Sequence, residues 1–368
     1  MVRRSRGRRR LGTAIAAMSL VTAAALLASC GGTGDSSSTG SGDSGGKKAK
    51  ISLVLPGPNA YFEPWGPAVR DAAKKYGFTG SFDVPPTEAF DLSDQNALMD
   101  SLAGKGYNGF GAFPGDANGT NAQERKLANR GIKSVNINGC TSDPSAALFC
   151  VSTNVYEAAL YQANQLIKAI GGEGDIALLT SQLTDPNTQL RIKAVKQAVA
   201  DTNGKVKLAQ VVADIDTPQS APPAINALLA SKGNTLDGAM STSYNPAVAM
   251  ATALTDNPQY RRIKFIAAEN SPQVMNALEK GYIYGTLFQN TYGQAYVAAY
   301  GLYKAIQEGC QVAKDAPFDK TEQTSQLITA GVLLITKDTV ADYVGKPESL
   351  PDDTERLLKL LDEKILDC

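Results

Sequence analysis

Ile51-Ser52-Leu53-Val54-Leu55-Pro56-Gly57-Pro58-Asn59-Ala60-Tyr61-Phe62-Glu63-Pro64-Trp65 is the stretch whose reading decides the fold. Four of its first five residues are apolar, the pattern of a short strand buried on both faces. Pro56, Gly57 and Pro58 stop that strand and force a loop. The loop carries an amide, Asn59, and three aromatics, Tyr61, Phe62 and Trp65. A helix is predicted over 67–76, where Ala68, Val69, Ala72, Ala73 and Tyr76 recur at helical spacing. In an open α/β sheet, ligands bind just outside the carboxyl end of a strand, where these four side chains would stand. The competing reading makes the three aromatics a hydrophobic plug between lobes.

The same alternation continues along the chain. Strands are predicted over 81–84, 109–113 and 132–137, with helices over 92–105 and 122–130 between them. A second series follows. Its helices are expected at 155–170, 188–201, 224–231, 246–255 and 273–280, and its strands at 175–179, 206–212, 236–241, 263–267 and 284–287. A long helix over 293–308, a last strand over 331–336 and an amphipathic helix over 354–365 complete the chain. Strands alternating with helices over this length imply parallel sheets with right-handed crossovers, and two such series imply two lobes.

Ahead of the first strand, residues 1–30 read as an export signal. Arg3, Arg4, Arg6 and Arg8 to Arg10 form a basic start, and 11–27 is uncharged and apolar. It ends in Leu27-Ala28-Ser29-Cys30, which resembles the bacterial lipoprotein box, in which the cysteine is lipidated and becomes the new N-terminus. A plain membrane anchor would have the length but would need no cysteine there. Residues 31–50 are rich in Gly, Ser, Thr and Asp and hold too little apolar surface to offset chain entropy, so they form a flexible tether.

Composition narrows the chemistry. Acidic and basic residues balance at 36 each, and no basic run with interleaved aromatics follows the signal, so nucleic acid is not a partner. The chain has no histidine, which excludes Ser-His-Asp and Cys-His catalysis and the common His-based zinc sites. Besides Cys30 there are Cys140, Cys150, Cys310 and Cys368, an even set that favours disulfides in an exported chain. Of three possible pairings, Cys140–Cys150 and Cys310–Cys368 are preferred: the first closes a short Asp/Pro/Ser loop and the second ties down the tail helix. Gly109-Phe110-Gly111 with Gly115 misses the dinucleotide spacing, and neither a phosphate-binding loop nor a nucleophile elbow is present. Asp214-Ile215-Asp216 could suggest a metal but reads better as solvated or helix-capping carboxylates, and no cofactor or metal is expected.

What recurs is a polar or aromatic residue just past a strand: Asn59, Tyr61 and Phe62; Asn138; Ser243 and Tyr244; Glu269 and Asn270; Gln289 and Asn290. Taken singly, each is a turn former or helix cap. Converging from both series, these amides, hydroxyls, aromatic faces and one carboxylate suit a polyhydroxylated ligand, whose hydroxyls donate and accept and whose C–H faces stack on rings.

From Ile51 to Thr336 the chain resembles a type I periplasmic binding protein of the ribose-binding group, the solute receptor of an ABC sugar importer. Asn59-Ala60-Tyr61-Phe62 matches that family's Asn-x-aromatic-aromatic motif. Pro86-Thr87-Glu88, Gly331-Val332-Leu333-Leu334-Ile335 and the cysteine-bearing loop after the fourth strand are closest to the rhamnose and autoinducer-2 receptors. The resemblance implies sugar contacts at Asn59, Tyr61, Phe62 and Gln289. The family's Asp-Arg after the fourth strand is here Asn138-Gly139, and its ligand arginine falls at Gln189, with Arg191 two residues later. Its later Asn-Asp is Ser243-Tyr244, and an aspartate is replaced by Glu269. These departures point away from ribose and autoinducer-2 and towards a neutral polyol or another monosaccharide.

The expectation is therefore an α/β protein of two Rossmann-like lobes with parallel sheets, joined by a three-strand hinge. One lobe would be 51–153 with 289–328, the other 154–288 with 329–340, and 341–368 a tail helix. The crossings would lie near 152–155, 287–290 and 327–331. The ligand-binding set is Asn59, Tyr61, Phe62, Trp65, Asn138, Gln189, Arg191, Ser243, Tyr244, Glu269 and Gln289. A monomeric, lipid-anchored, non-enzymatic receptor would close on its ligand and present it to a membrane permease. A receptor feeding a sensor or chemoreceptor is the alternative in the same class. A carboxylate glycoside hydrolase, which would pair Glu269 with Glu63 across the cleft, is the alternative from another.

Overall fold

A computed structural model of the chain describes residues 47–87, 89–343 and 350–368. The expected signal peptide, Cys30 and the linker through residue 46 lie outside the described residues, as do Glu88 and positions 344–349 of the tail.

The first half runs β1 (Lys50–Val54), α1 (Trp65–Tyr76), β2 (Thr79–Asp83), α2 (Leu92–Gly104), β3 (Gly109–Ala112), α3 (Ala117–Ala128), β4 (Lys133–Ile137) and β5 (Cys150–Thr153). The second continues with α4 (Val155–Ala169), β6 (Gly174–Leu179), α5 (Pro186–Ala200), β7 (Val206–Val212), α6 (Ala221–Lys232), β8 (Gly238–Ser241), α7 (Tyr244–Asp256), β9 (Lys264–Ala268), α8 (Pro272–Glu279) and β10 (Gly285–Gln289). It closes with α9 (Thr291–Tyr303), β11 (Gln311–Val312), β12 (Leu327–Ala330), β13 (Val332–Thr336), α10 (Pro351–Leu360) and β14 (Leu366–Asp367).

Two six-stranded sheets result, ordered β12-β5-β4-β3-β1-β2 and β13-β10-β9-β8-β6-β7. Every pairing in the first is parallel. In the second only β13 runs antiparallel, against β10. The chain passes between the sheets three times, at Asn154, Asn290 and Gly331, each the residue between consecutive elements of different lobes. Thr329 and Ala330 still pair with β5, and Gln289 pairs with Val332, so the crossings fall just beyond them.

Packing follows from the sequence pattern. Ile51 and Leu53 of β1, Val135 and Ile137 of β4 and Leu302 of α9 share one core and are wholly buried. Leu357, Leu361 and Ile365 of the tail enter that same core, so the tail helix belongs to the first lobe, while Tyr343 and Leu350 ahead of it pack against the second-lobe core. Burial of each such side chain contributes roughly 1.5–3 kcal/mol. The disulfides join Cys140 to Cys150 and Cys310 to Cys368. At the end of β1, a Cβ on Gly57 would stand 2.4 Å from the Ala89 carbonyl oxygen, which is why glycine separates the two prolines.

Three departures from the sequence reading have local causes. Helix α3 begins at Ala117, five residues ahead of expectation, because the Asp116 carboxylate caps it by accepting from the N–H groups of Asn118 (3.1 Å) and Gly119 (2.6 Å). Strands β5 and β12 were not anticipated. Each has only four residues and adjoins the next element through a single residue, so no turn signal separates them.

Candidate functional site

Between the lobes lies a narrow cavity of about 40 Å³. Asn59, Tyr61, Phe62, Phe90, Phe113 and Asn138 line it from the first lobe. Ser181, Asp185, Asn187, Arg191, Asp216, Thr242, Ser243, Tyr244, Ala268, Glu269 and Gln289 line it from the second.

The first-lobe wall is built from one short turn. Asn59 Oδ1 accepts from the Tyr61 N–H at 3.0 Å and caps a single 3-10 turn over Ala60–Phe62. That turn packs Phe62 edge-on to Tyr61 (ring centroids 4.8 Å apart) and against Phe113 (5.0 Å). Trp65 stands behind this wall, not on the cavity: it is the first residue of α1 and fully buried. Its Nε1 donates to Asn138 Oδ1 at 3.0 Å, and Asn138 Nδ2 in turn donates to Tyr61 Oη (3.0 Å) and Gln294 Oε1 (2.8 Å). Every polar atom of the Asn138 side chain is thus committed to positioning, and burial with the nearby Glu269 charge pushes the Tyr61 phenol upward, keeping it neutral.

The second-lobe wall is richer in acids than the sequence reading allowed. Asp185 caps α5, accepting from the Asn187 N–H at 2.9 Å and Thr188 Oγ1 at 3.3 Å. Asp216 accepts from the backbone and side chain of Asn245 at 3.0 and 3.1 Å. Burial pushes both carboxyls upward, opposed by the Arg191 charge at Asp185 and by the Asn245 donors at Asp216. Glu269 takes Gln289 Nε2 on one oxygen at 2.8 Å and the Gln289 N–H on the other at 3.1 Å. Asn138 and Glu269, at the ends of β4 and β9, both have left-handed backbones (φ 60° and 64°), an uncommon conformation that concentrates at functional sites.

Two groups on this wall offer unused hydrogen-bonding capacity. The Arg191 guanidinium has no hydrogen bond to another described side chain and acts on Asp185 as a nearby charge. Ser243 Oγ is buried with no partner. Direct bonds also span the cleft: Asn59 Nδ2 donates to Asp216 Oδ2 at 3.1 Å, and Asn187 Nδ2 to the Asn138 carbonyl at 2.8 Å. The Lys193–Glu322 ion pair joins the lobes at the surface, but with both partners more than half exposed it contributes only about 0–1 kcal/mol.

Of the expected set, Asn59, Tyr61, Phe62, Asn138, Arg191, Ser243, Tyr244, Glu269 and Gln289 meet at the cavity. Trp65 and Gln189 do not. Gln189 is exposed and donates to the Leu183 carbonyl, because two residues along a helix turn a side chain by about 200° and the inward position is Arg191. Glu63 is exposed and outside the cavity. Phe113 and Ser181 were missed, although both lie just past a strand, where the strand-end rule would have found them; Asp185, in the loop ahead of α5, was missed too, and Asp216, read as solvated or helix-capping, is instead buried on the cavity.

Two α/β lobes with an aromatic and polar cavity at their strand ends define a two-lobed small-ligand binding protein. The chain belongs to the periplasmic binding protein family, whose domain profile matches residues 51–310, and its fold is that of type I. It is accordingly a binding protein and not an enzyme. An ABC transporter solute-binding protein from Burkholderia graminis, solved in complex with D-arabinose, superposes with a TM-score of 0.70 at 22% identity, over 81% of this chain and 98% of its own. A glucose-galactose binding protein from Geobacillus stearothermophilus gives 0.66 at 19% identity, over 79% and 99%. A solute-binding protein from Actinobacillus succinogenes with bound D-allose gives 0.69 at 16% identity, over 80% and 100%. No helix among the described residues is long and apolar enough to cross a membrane.

Proposed function

We propose that this chain is the extracytoplasmic receptor of an ABC sugar importer, tethered to the membrane by a lipidated Cys30 and a flexible linker. It captures a monosaccharide or polyol in the cleft and presents the closed form to a permease. The observation that carries this reading is the cavity itself: the rings of Tyr61, Phe62, Phe90 and Phe113 face amides, hydroxyls and carboxylates from the other lobe. Rings take the C–H faces of a sugar, and the opposing groups take its hydroxyls. The sugars bound by structurally similar proteins support the same class. The cavity acids, Asp185, Asp216 and Glu269, outnumber its one cation, Arg191, which favours a neutral ligand over an anionic one.

Binding works by population shift. Only the closed form lets one ligand touch both walls, so the ligand favours it by the difference in affinity between open and closed states. The crossings at Asn154, Asn290 and Gly331 act as the hinge.

A thermal-shift screen of residues 47–368 against pentoses, hexoses, polyols, nucleosides and amino acids tests the reading. A ligand at a hundred times its dissociation constant adds about 2.7 kcal/mol. A sugar or polyol hit lost in Phe62→Ala and in Gln289→Ala supports the class and the site. A hit confined to nucleosides or amino acids overturns the sugar assignment.

A further inference from the structure

Two of the three lobe crossings, Asn290 and Gly331, are held by the first turn of the tail helix. Asn290 is fully buried at the start of α9. Its Nδ2 donates to Asp353 Oδ2 at 2.9 Å, Thr354 Oγ1 at 3.0 Å and the Leu350 carbonyl at 3.2 Å. Its Oδ1 accepts from the N–H groups of Gly293 (3.0 Å) and Leu350 (3.1 Å). The Gly331 N–H points at the same Asp353 carboxylate, 3.2 Å from each oxygen. Arg356 closes the cluster, donating to Asp353 Oδ1 at 2.7 Å and to the Thr329 carbonyl at 2.8 Å.

One carboxylate therefore joins two of the crossings at the boundary between the lobes. The rest of α10 cannot follow the second lobe, because Leu357 is buried in the first-lobe core and the Cys310–Cys368 disulfide ties the tail behind α9. Hinge motion is absorbed by a few residues at element ends. We propose that Asp353 is a positioning residue for ligand capture: it clamps Asn290 and Gly331 to the first lobe and confines bending to the second-lobe side of both crossings. The route to the cleft is short. Gln289, adjacent to Asn290, holds both oxygens of Glu269. The inference deepens the receptor reading and rests on it for its consequence, while the clamp itself is testable without ligand.

The experiment measures the interlobe distance in the ligand-free chain by pulsed electron resonance. Spin labels enter through non-canonical amino acids at the exposed positions Lys126 on α3 and Gln197 on α5, leaving the disulfides intact. Asp353→Ala should broaden the distance distribution towards longer separations. Arg356→Gln, at a side chain half exposed to solvent and so safe for folding, should do the same to a smaller extent. Ile225→Ala, a buried core change on α6 away from the tail, is the control, lowering stability while leaving the distribution in place. Distributions for both clamp variants that match the unaltered chain would overturn the proposal. So would an Ile225→Ala distribution as broad as that of Asp353→Ala, since the broadening would then follow lost stability alone. A failed sugar screen with a broadened Asp353→Ala distribution would reject the sugar assignment and keep the clamp.

Discussion

Asn59 and Asp216 meet across the cleft with the Asn59 amide engaged at both ends: Nδ2 reaches Asp216 Oδ2 at 3.1 Å while Oδ1 holds the Tyr61 N–H at 3.0 Å. The residue that shapes the aromatic wall is thus also the one that bonds the opposite lobe. Asn59→Ala removes the cap and the bridge together and leaves a buried carboxylate one donor short. An unsatisfied buried group of this kind costs about 1–3 kcal/mol, or roughly 5- to 150-fold in affinity. Titration calorimetry with the sugar found by the screen should show that loss. An unchanged dissociation constant would mean that closure does not use this bond.

Ser243 offers a sharper test, because its Oγ is buried beside the cavity without a partner. Ser243→Ala removes no protein hydrogen bond made by that atom, so stability of the ligand-free chain should hold or rise slightly in denaturant titrations. Affinity for the ligand should fall by about 0.5–1.5 kcal/mol. A loss of stability with affinity intact would place the hydroxyl in the fold and not in recognition.

Glu124 gives the fold a pH dependence. It is fully buried on α3, with Oε1 accepting from Asn136 Nδ2 at 2.7 Å and Oε2 without a partner. Burial pushes its carboxyl from 4.5 up to about 8. The native chain then keeps a proton that the unfolded chain releases between those values. Its contribution is therefore greatest below pH 4.5 and is lost as pH rises to about 8. Glu124→Gln should flatten stability across this window by a few kcal/mol and raise it at pH 8. Chemical denaturation at pH 5 and pH 8 measures this directly. Asp185 and Asp216, shifted upward too, leave a residual slope of the same sign.

The disulfides should differ in worth because they close loops of 10 and 58 residues. Chain entropy gives about 3 kcal/mol for the shorter and about 4 kcal/mol for the longer. Paired serine variants, compared by denaturant midpoint in ligand-free protein, should rank in that order. The reverse ranking would mean that the Cys140–Cys150 loop, whose Asp143 carboxylate accepts the Ser325 N–H at 2.8 Å, does more than shorten the unfolded chain.

How much of this was legible varies with the physics behind each feature. The β1 stretch was plain because an apolar run ending in Pro-Gly-Pro has few other solutions, and the cysteine pairs followed from loop chemistry. Helix phase was not legible. Register with the family's arginine pointed to Gln189, yet the face of α5 that meets the cavity carries Arg191, on a helix that Asp185 caps at Pro186. No periodicity flags such a cap when its neighbours are Thr, Pro and Asn, which also read as a turn. Trp65 misled for the opposite reason. An aromatic beside Pro64 reads as loop, yet it opens α1 and spends its one donor on Asn138. Glu269, whose left-handed backbone turns it towards Gln289, was found because it follows a strand and stands at a family aspartate position, while its sequence carries no sign of the conformation.

The triple crossing has a further consequence for how the chain is made. Strand β12, the sixth of the first sheet, follows all five parallel strands of the second, and so do α9 and α10, which fill the first core. A chain emerging from its N-terminus can therefore pair β1 to β5 early but can only finish that sheet after the five parallel strands of the second have been made, and the first core only with α10, which follows β13. The lobe that begins first is completed last. Neither lobe can be released by a single cut, and a nascent chain stalled before β12 would expose the open edge of β5 to neighbouring strands.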